Sequence, residues 1–378
     1  MLPIKQVVAK VVVLQVIARM NLGGTSKYLL TLNKELEAIG IRSPIATGFV
    51  QLGEIEDPEL KKIKPIRVKH LGRKISPLND YRAMIELRKV ILQVRPDIIH
   101  THTFKAGLIV RAQRNKIEQI LGKKIKFIHT FHGHLFDDPQ FKGFKALVIS
   151  AIEKYLSKKS DQLTTVGEKV TKDLEHRSIA GKKKTVSIPP AVNSPKLVSK
   201  ESALKKFKIK DKKRFRILWM ARVTGVKNPH KVIAIARALP EVDFYMAGGG
   251  DLLNEIKVKA PKNLKVIGWQ AAREVLPIAD IFLSTSANEG IPIAMIEAQL
   301  AGIPIVATDV GSVSEVVIDH KTGFLCDRSE KQLIAGIKRL RQDRKLRSTF
   351  SKNAKSIALK KFSTSLFINA HKKMYLNS

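Results

Sequence analysis

The stretch VVVLQVIARMNLGGTSKYLLTLNKELEAIG, residues 11–40, decides how the rest of the chain is read. With Lys5 and Lys10 in front of it, its apolar start imitates a secretory signal. It also reads as a buried strand, and residues 23–40 favour that reading. Gly23-Gly24 supplies a turn, Tyr28, Leu29, Leu32, Leu36 and Ile39 recur at helical spacing, and Gly40 stands where a helix stops. Strand, glycine turn and amphipathic helix make the opening unit of an α/β domain, and cleavage would remove its first strand. The segment is therefore expected to remain as structure. No window reaches the roughly 18 uncharged apolar residues of a transmembrane helix, and the single cysteine makes the reducing cytosol the expected compartment.

Outward from this unit the pattern repeats. Strand candidates come at Ile45–Gly48, Ile66–His70, Ile98–His100, Ile125–His129 and Gln162–Val166, with amphipathic stretches between them such as Tyr81–Val94 and Lys142–Lys158. After a polar, lysine-rich stretch, Ser199–Arg214, the alternation restarts at Phe215–Met220. It continues through Asp243–Met246, Leu264–Ile267, Ile281–Thr285 and Ile305–Ala307. Strands alternating with helices predict parallel sheets covered on both faces. The expected fold class is α/β, with two Rossmann-like doubly wound domains facing each other across a cleft and a linker near 190–212. A length of 378 residues, at about 150 per domain, agrees with two.

Composition narrows the function. With 69 Lys and Arg against 33 Asp and Glu, the net charge is +36, which asks for an anionic partner: a nucleic acid, an anionic membrane or a phosphorylated ligand. The excess is spread evenly over the two halves, and five Tyr and two Trp supply few stacking platforms. That distribution fits peripheral contact with anionic lipid better than base readout, and no nucleic-acid partner is expected. A hydrophobic content of 44% with mean hydropathy −0.08 excludes disorder as the main state. A single cysteine, Cys326, excludes an intramolecular disulfide and reads as a small buried hydrophobe.

In parallel α/β sheets functional residues collect where strands end and helices begin. Gly23-Gly24 at the first such junction suits either the approach of a phosphate to backbone N–H groups or a plain turn. The chain has neither a GxGxxG fingerprint nor a GxxxxGK[ST] loop, so P-loop nucleotide hydrolysis drops out. Five of the ten histidines, His100, His102, His129, His132 and His134, fall at the next two junctions. They suggest a polar active-site edge, structural histidines, or a metal site with Asp137 and Asp138 as extra ligands, although no HExxH motif is present. Lys105 adds a positive group or is simply solvated. In the second half Arg222 and Lys227, beside a helix start near Pro229, would clamp a diphosphate or are ordinary surface cations. Gly248-Gly249-Gly250 is a backbone-approach site or a turn. Between Glu274 and His320 there is no Lys or Arg at all, yet Glu274, Asp280, Glu289, Glu297, Asp309, Glu315 and Asp319 lie there. Gly290-Ile291-Pro292 then starts a helix, with Pro292 in its first turn. Glu297 lies on an otherwise apolar face, and acceptor-only carboxylates suit a ligand rich in hydroxyl donors, a sugar or a ribose.

Ser286-Ala287-Asn288-Glu289-Gly290-Ile291-Pro292 through Glu297, followed by Ala301-Gly302-Ile303-Pro304-Ile305-Val306-Ala307-Thr308, resembles the E-x7-E signature of retaining GT-B glycosyltransferases, closest to glycosyltransferase family 4. The remaining junctions fall in the family's order, and the resemblance covers nearly the whole chain. It implies an N-terminal acceptor-side domain over 1–195, a nucleotide-sugar donor domain over 196–358, and a terminal helix over 359–378 that packs back on the first. It also implies residue roles. Arg222 and Lys227 would hold the donor diphosphate, Glu289 the transferred sugar and Glu297 the ribose. Backbone groups at Gly24, Gly249, Gly290 and Ile291 would approach the donor. His132 would sit near the anomeric centre, and His102 and Lys105 would lie on the acceptor side. The segment Ser187–Asn193 and the loop after Gly24 depart from the family's pattern.

The expected activity is transfer of a sugar from a nucleotide diphosphate sugar, UDP-sugar favoured, to a lipid-linked or cell-envelope saccharide acceptor. Retention of configuration is expected, and no Asp-x-Asp occurs in the chain, so neither metal nor cofactor is expected. The basic surface, and a helix near Lys142–Lys158 carrying Phe141, Phe144, Leu147, Ile152 and Leu156 among lysines, suit peripheral docking on an anionic membrane face; the same helix also reads as an ordinary core helix. Two other classes compete: a metal-dependent hydrolase built on the His100–His134 cluster, and a non-catalytic polyanion-binding protein.

Overall fold

The computed structural model describes residues 11–52, 54–137, 143–181, 184–210 and 213–376. The chain divides into two compact units, Met1–Ile188 with Phe367–Ser378, and Pro189–Leu366. The first holds a seven-stranded sheet of β1 (Val13–Ile17), β2 (Ile45–Thr47), β3 (Ile66–Arg67), β4 (Ile98–His102), β5 (Lys126–Phe131), β6 (Gln162–Thr165) and β7 (Thr185–Ser187). All neighbours pair in parallel, in the order β3-β2-β1-β4-β5-β6-β7. The second holds a six-stranded parallel sheet of β8 (Arg216–Met220), β9 (Asp243–Ala247), β10 (Leu264–Gly268), β11 (Ile281–Ser284), β12 (Ile305–Thr308) and β13 (Gly323–Cys326), ordered β10-β9-β8-β11-β12-β13. Each unit is thus a Rossmann-like α/β domain in its own right.

The strand order locates the crevices of both sheets. In each sheet the chain builds outward on one side of its first strand and then returns to build on the other. Crossovers therefore leave in opposite directions from β1 and β4, and from β8 and β11, which opens a crevice at their carboxyl ends. β1 and β4 are buried along their whole length, as a sheet covered on both faces requires.

Several elements differ from the sequence reading. β4 runs through His102 and β5 through Phe131, because His100, Thr101, His102 and Thr130 find hydrogen-bond partners and can stay in a buried strand. β7 is hidden by its three-residue length behind a lysine run. β13 opens on Gly323, where a Cβ would lie 2.0 Å from the Ile305 carbonyl oxygen. The glycine that weakens the strand pattern is what lets β13 pair with β12. Pro292 caps its helix rather than entering the first turn, and the polar stretch after residue 198 folds into α7 (Lys200–Lys206), whose cap Ser199 accepts from the Ser202 N–H.

In the first unit α3 (Phe104–Arg111) and α5 (Phe144–Lys158) are joined by an ion pair. Arg111 Nη2 donates to both carboxylate oxygens of Glu153, at 2.8 and 3.0 Å, and both side chains are fully buried. A buried pair broken on one side leaves an uncompensated charge. Glu153→Ala is expected to cost about 3–5 kcal/mol of stability, read from urea unfolding, and Arg111→Met with Glu153→Leu substantially less. Equal losses in the single and double variants would refute this.

Candidate functional site

In the second unit the loops after β8 and β11 meet at the switch point. Trp219 Nε1 donates to Thr285 Oγ1 at 3.1 Å, and that hydroxyl lies 3.0 Å from the carbonyls of Lys227 and Asn228. The Ala287 N–H reaches the Val226 carbonyl at 2.8 Å. These bonds bring Lys227 Nζ to 2.6 Å from Glu289 Oε2, while Ser286 Oγ donates to Oε1 at 2.6 Å. The sequence marks Lys227 and Glu289 separately but foretells neither their pairing nor the Ser286 hydroxyl. The Glu289 carbonyl accepts from the Ser312 N–H, and at Gly311, with φ 51°, a Cβ would stand 1.9 Å from that carbonyl oxygen. The carboxylate is therefore gripped at side chain and backbone.

Arg222 is exposed just beyond β8, and Glu297 is half-buried within α11 (Ile293–Leu300). Gly290 and Ile291 lie in the loop before α11, whose N-terminus carries no side-chain cap. Gly249 follows β9, and its carbonyl accepts from the Val223 N–H. Among the described residues, Asn288 Oδ1 and Thr224 Oγ1 are buried acceptors without a hydrogen-bond partner. Unsatisfied buried acceptors are costly unless a ligand's donors meet them, and both flank the loops that hold Lys227 and Glu289. Neither stands out in the sequence, because isolated Asn and Thr are common in loops.

In the first unit the five clustered histidines separate. The pleat of β4 and β5 sends His100 and His102 to one face and His129 to the other, where its Nδ1 meets Thr101 Oγ1 at 2.8 Å. His134 Nδ1 is 3.9 Å from Asp173 Oδ2, in a different part of the unit. Only His132 joins the first face, with Nε2 at 3.0 Å from His102 Nδ1. The other members come from elsewhere in the chain. Gln15 lies on β1, Tyr28 on α1 (Gly24–Ala38), and His371 and Tyr375 on the part of α14 (Thr364–Leu376) that belongs to this unit. Gly24 opens α1, whose first turn has neither a side-chain cap nor an acidic residue.

Hydrogen bonds order this layer. Gln15 Oε1 can only accept, so in this amide orientation His102 Nε2, 2.8 Å away, carries the proton. The neutral ring then accepts at Nδ1, which makes His132 the donor through Nε2 and leaves His132 Nδ1 unprotonated. In parallel, His100 spans Tyr375 Oη and Thr130 Oγ1, both at 2.6 Å. Tyr28 Oη donates to His371 Nε2 at 3.0 Å, whose Nδ1–H bonds the Phe367 carbonyl. Burial is the main force that drives the imidazole pKa values down: His100 and His102 fall well below the usual value, His132 to about 3 and His371 to about 4. Neighbouring imidazoles push the first three further the same way. A half-buried imidazole kept neutral in this way, with one unprotonated nitrogen, can accept a hydrogen bond from a hydroxyl.

Among the described residues no group of three or more His, Cys, Asp or Glu side chains is placed to hold a metal ion. Asp138 and the Asp137 side chain, offered by the sequence as extra ligands, lie outside the described residues. Lys105 is buried at the start of α3, with Nζ 2.5 Å from Asp80 Oδ1 and bonded to the Lys74 carbonyl, so its charge is taken up locally.

Comparison with known proteins bears on both units. A family profile described as Glycosyltransferase Family 4 matches residues 22–194, and one described as Glycosyl transferases group 1 matches residues 200–357. The chain is 26% identical over 348 residues to the UDP-Gal:alpha-D-GlcNAc-diphosphoundecaprenol alpha-1,3-galactosyltransferase of Escherichia coli, covering 86% of this chain and 87% of that protein. Among solved structures it resembles a glycosyltransferase from Rickettsia africae, with TM-score 0.76 and 20% identity over 98% of this chain and 100% of that one. It also resembles HepE of Anabaena in complex with UDP, with TM-score 0.78 and 17% identity over 96% and 98% of the two chains. At these identities the structural likenesses speak to the fold, and such neighbours are GT-B glycosyltransferases.

The buried imidazoles make stability depend on pH. His371 titrates near 6.5 when unfolded and at about 4 when folded, so the unfolded chain binds more protons in between. Its contribution is complete above about pH 6.5 and is lost as pH falls toward 4. Urea unfolding across this window is expected to give a slope shallower by about 1 kcal/mol per pH unit in His371→Gln than in the parent. Parallel slopes would contradict the buried, neutral assignment.

Proposed function

Because the chain belongs to the glycosyltransferases of family 4 and group 1, we propose that it moves a sugar from a nucleotide diphosphate sugar, with UDP favoured, to a lipid-linked or cell-envelope saccharide. The observation that carries the donor half is the Lys227–Glu289 pair, 2.6 Å across the switch point of the second unit. There a cation and a carboxylate stand together beside the N-terminus of α11. Lys227 and the exposed Arg222 neutralise the diphosphate as the glycosidic bond breaks, the stage at which fixed positive charge lowers the barrier most. Glu289, held by Ser286, accepts hydrogen bonds from the sugar, and Glu297 from the ribose. The unpartnered Asn288 Oδ1 and Thr224 Oγ1 take further hydroxyl donors.

The leaving diphosphate needs a counter-charge, and these two side chains supply it without a metal, in a chain that has no Asp-x-Asp. Attack occurs on the face from which the diphosphate departs, with retention of configuration. The family resemblance gives His132 the part of a neutral hydrogen-bond acceptor. The Escherichia coli relative's name specifies a UDP-galactose donor and a diphosphoundecaprenol-linked acceptor, and the Anabaena structure contains UDP; both favour a uridine donor here, and the first favours a lipid-linked acceptor. The chain's charge of +36 suits acceptors carried on anionic membranes.

A thermal-shift screen of UDP, GDP, ADP and their sugar conjugates, with EDTA present throughout, tests the donor site. At a hundredfold over Kd, binding stabilises by about 2.7 kcal/mol. A shift with UDP compounds that vanishes in Arg222→Ala and Glu297→Ala is the expected result, and no shift with any nucleotide removes the assignment. Lys227→Ala should lower kcat about 10²–10³-fold, by analogy with loss of one transition-state donor. NMR of the product fixes the stereochemistry, and an inverted anomer sinks the mechanism.

A further inference from the structure

Tyr28 reads in the sequence as one member of an amphipathic helix face, yet its ring and its hydroxyl have separate partners. α1 turns Tyr28, Leu29, Leu32 and Leu36 inward, and Tyr28 is 2% exposed. Its ring meets the His132 imidazole at right angles, with centroids 4.9 Å apart and planes at 89°. It meets Phe367 of α14 in the same way, at 5.0 Å and 88°. In such T-shaped pairs the electron-poor edge of one ring lies against the electron-rich face of the other, which favours one relative orientation.

The hydroxyl is fixed from the far end of the chain. Tyr28 Oη donates to His371 Nε2 at 3.0 Å, and the His371 Nδ1–H is committed to the Phe367 carbonyl at 2.8 Å. Burial raises the Tyr28 phenol well above its ordinary pKa, so it keeps the proton that it donates. Phe367, His371 and Tyr375, at i, i+4 and i+8, share the buried face of α14. His132 therefore has two holds. His102 fixes the position of its proton through the 3.0 Å hydrogen bond, and Tyr28 fixes the plane of its ring. A hydrogen bond at one nitrogen leaves a ring free to tilt about that bond. The perpendicular Tyr28 contact removes this freedom, and with it the ambiguity in where the unprotonated Nδ1 points.

We propose that Tyr28 is a positioning residue for His132, anchored by His371, so that the direction of the His132 Nδ1 acceptor is set by the last helix of the chain. This rests on the reading of His132 as a hydrogen-bond acceptor in sugar transfer, and deepens it. Tyr28, buried behind the imidazole, acts through His132 rather than on the substrate.

The test combines kinetics with imidazole nitrogen NMR of histidine-labelled protein, the His132 signals being identified by their loss in His132→Gln. In the parent, His132 should show one protonated and one unprotonated nitrogen, a single tautomer. In Tyr28→Leu and Tyr28→Phe the two nitrogens should move toward a common, averaged shift, a change that loss of a neighbouring ring's magnetic field does not produce. With UDP-galactose or UDP-glucose as donor, kcat is expected to fall about 10–100-fold in Tyr28→Leu and several-fold in Tyr28→Phe, with donor KM within about twofold of the parent. Phe127→Leu removes a buried ring from the apolar core of the same unit, and should leave both the nitrogen shifts and kcat unchanged. Parental nitrogen shifts in Tyr28→Phe overturn the proposal, whether or not Tyr28→Leu folds. So do equal losses in Phe127→Leu, or a raised KM with unchanged kcat. A parental kcat in His132→Gln removes the role of His132 in transfer instead, and the nitrogen shifts then decide by themselves whether Tyr28 holds its ring.

Discussion

The pairing of β8 with β11, and of β1 with β4, is the constraint on which the molecule depends. Parallel strands cannot be joined by tight turns, so every crossover must carry a helix, and each sheet must reverse its direction of growth somewhere. The reversal leaves a crevice at the strands' carboxyl ends. In the second unit it is occupied by Lys227 and Glu289, delivered from loops that are 62 residues apart in sequence but hydrogen-bonded to one another through Thr285 and Ala287. A cation and a carboxylate at 2.6 Å are stable in that half-buried setting because each compensates the other's desolvation.

The first unit solves a different problem. Histidine in a buried strand is expensive unless both ring nitrogens are satisfied. His100 and His102 achieve this through Tyr375, Thr130, Gln15 and His132. The cost of keeping these rings uncharged is acid sensitivity, and the return is a defined proton position at each nitrogen. His132, at the half-exposed edge of the layer, inherits its tautomer from Gln15 through His102, two residues it does not adjoin in sequence. A polar network of this kind fixes orientation in a way that an apolar packing of the same volume would not.

Basic charge and apolar exposure also act together. Along α5 exposed lysines stand beside an exposed apolar stripe of Phe144, Leu147, Val148 and Tyr155. Leu156 is buried, Ile152 is half-buried, and Phe141 lies outside the described residues. Moving Glu153 inward, onto Arg111, leaves that helix without any outward negative charge.

Much of this was legible in the chain. Alternating apolar runs and amphipathic stretches announce parallel α/β domains, because strand and helix periods are imposed by backbone geometry and burial alone. The E-x7-E segment, in a stretch without Lys or Arg, singles out Glu289 and Glu297, one before helix α11 and one within it. The partners were not legible. That Lys227 rests on Glu289, that His129 turns away from His100 and His102, and that His371 and Tyr375 complete their layer from the far end of the chain all depend on strand register and long-range packing. So does the direction of Phe144 and Leu147, since helical periodicity tells which side chains share a face but not whether that face meets the core or the solvent. A linear pattern records local periods and chemical types; the three-dimensional pairing of those types is set by which backbone hydrogen bonds and buried surfaces can be satisfied at once.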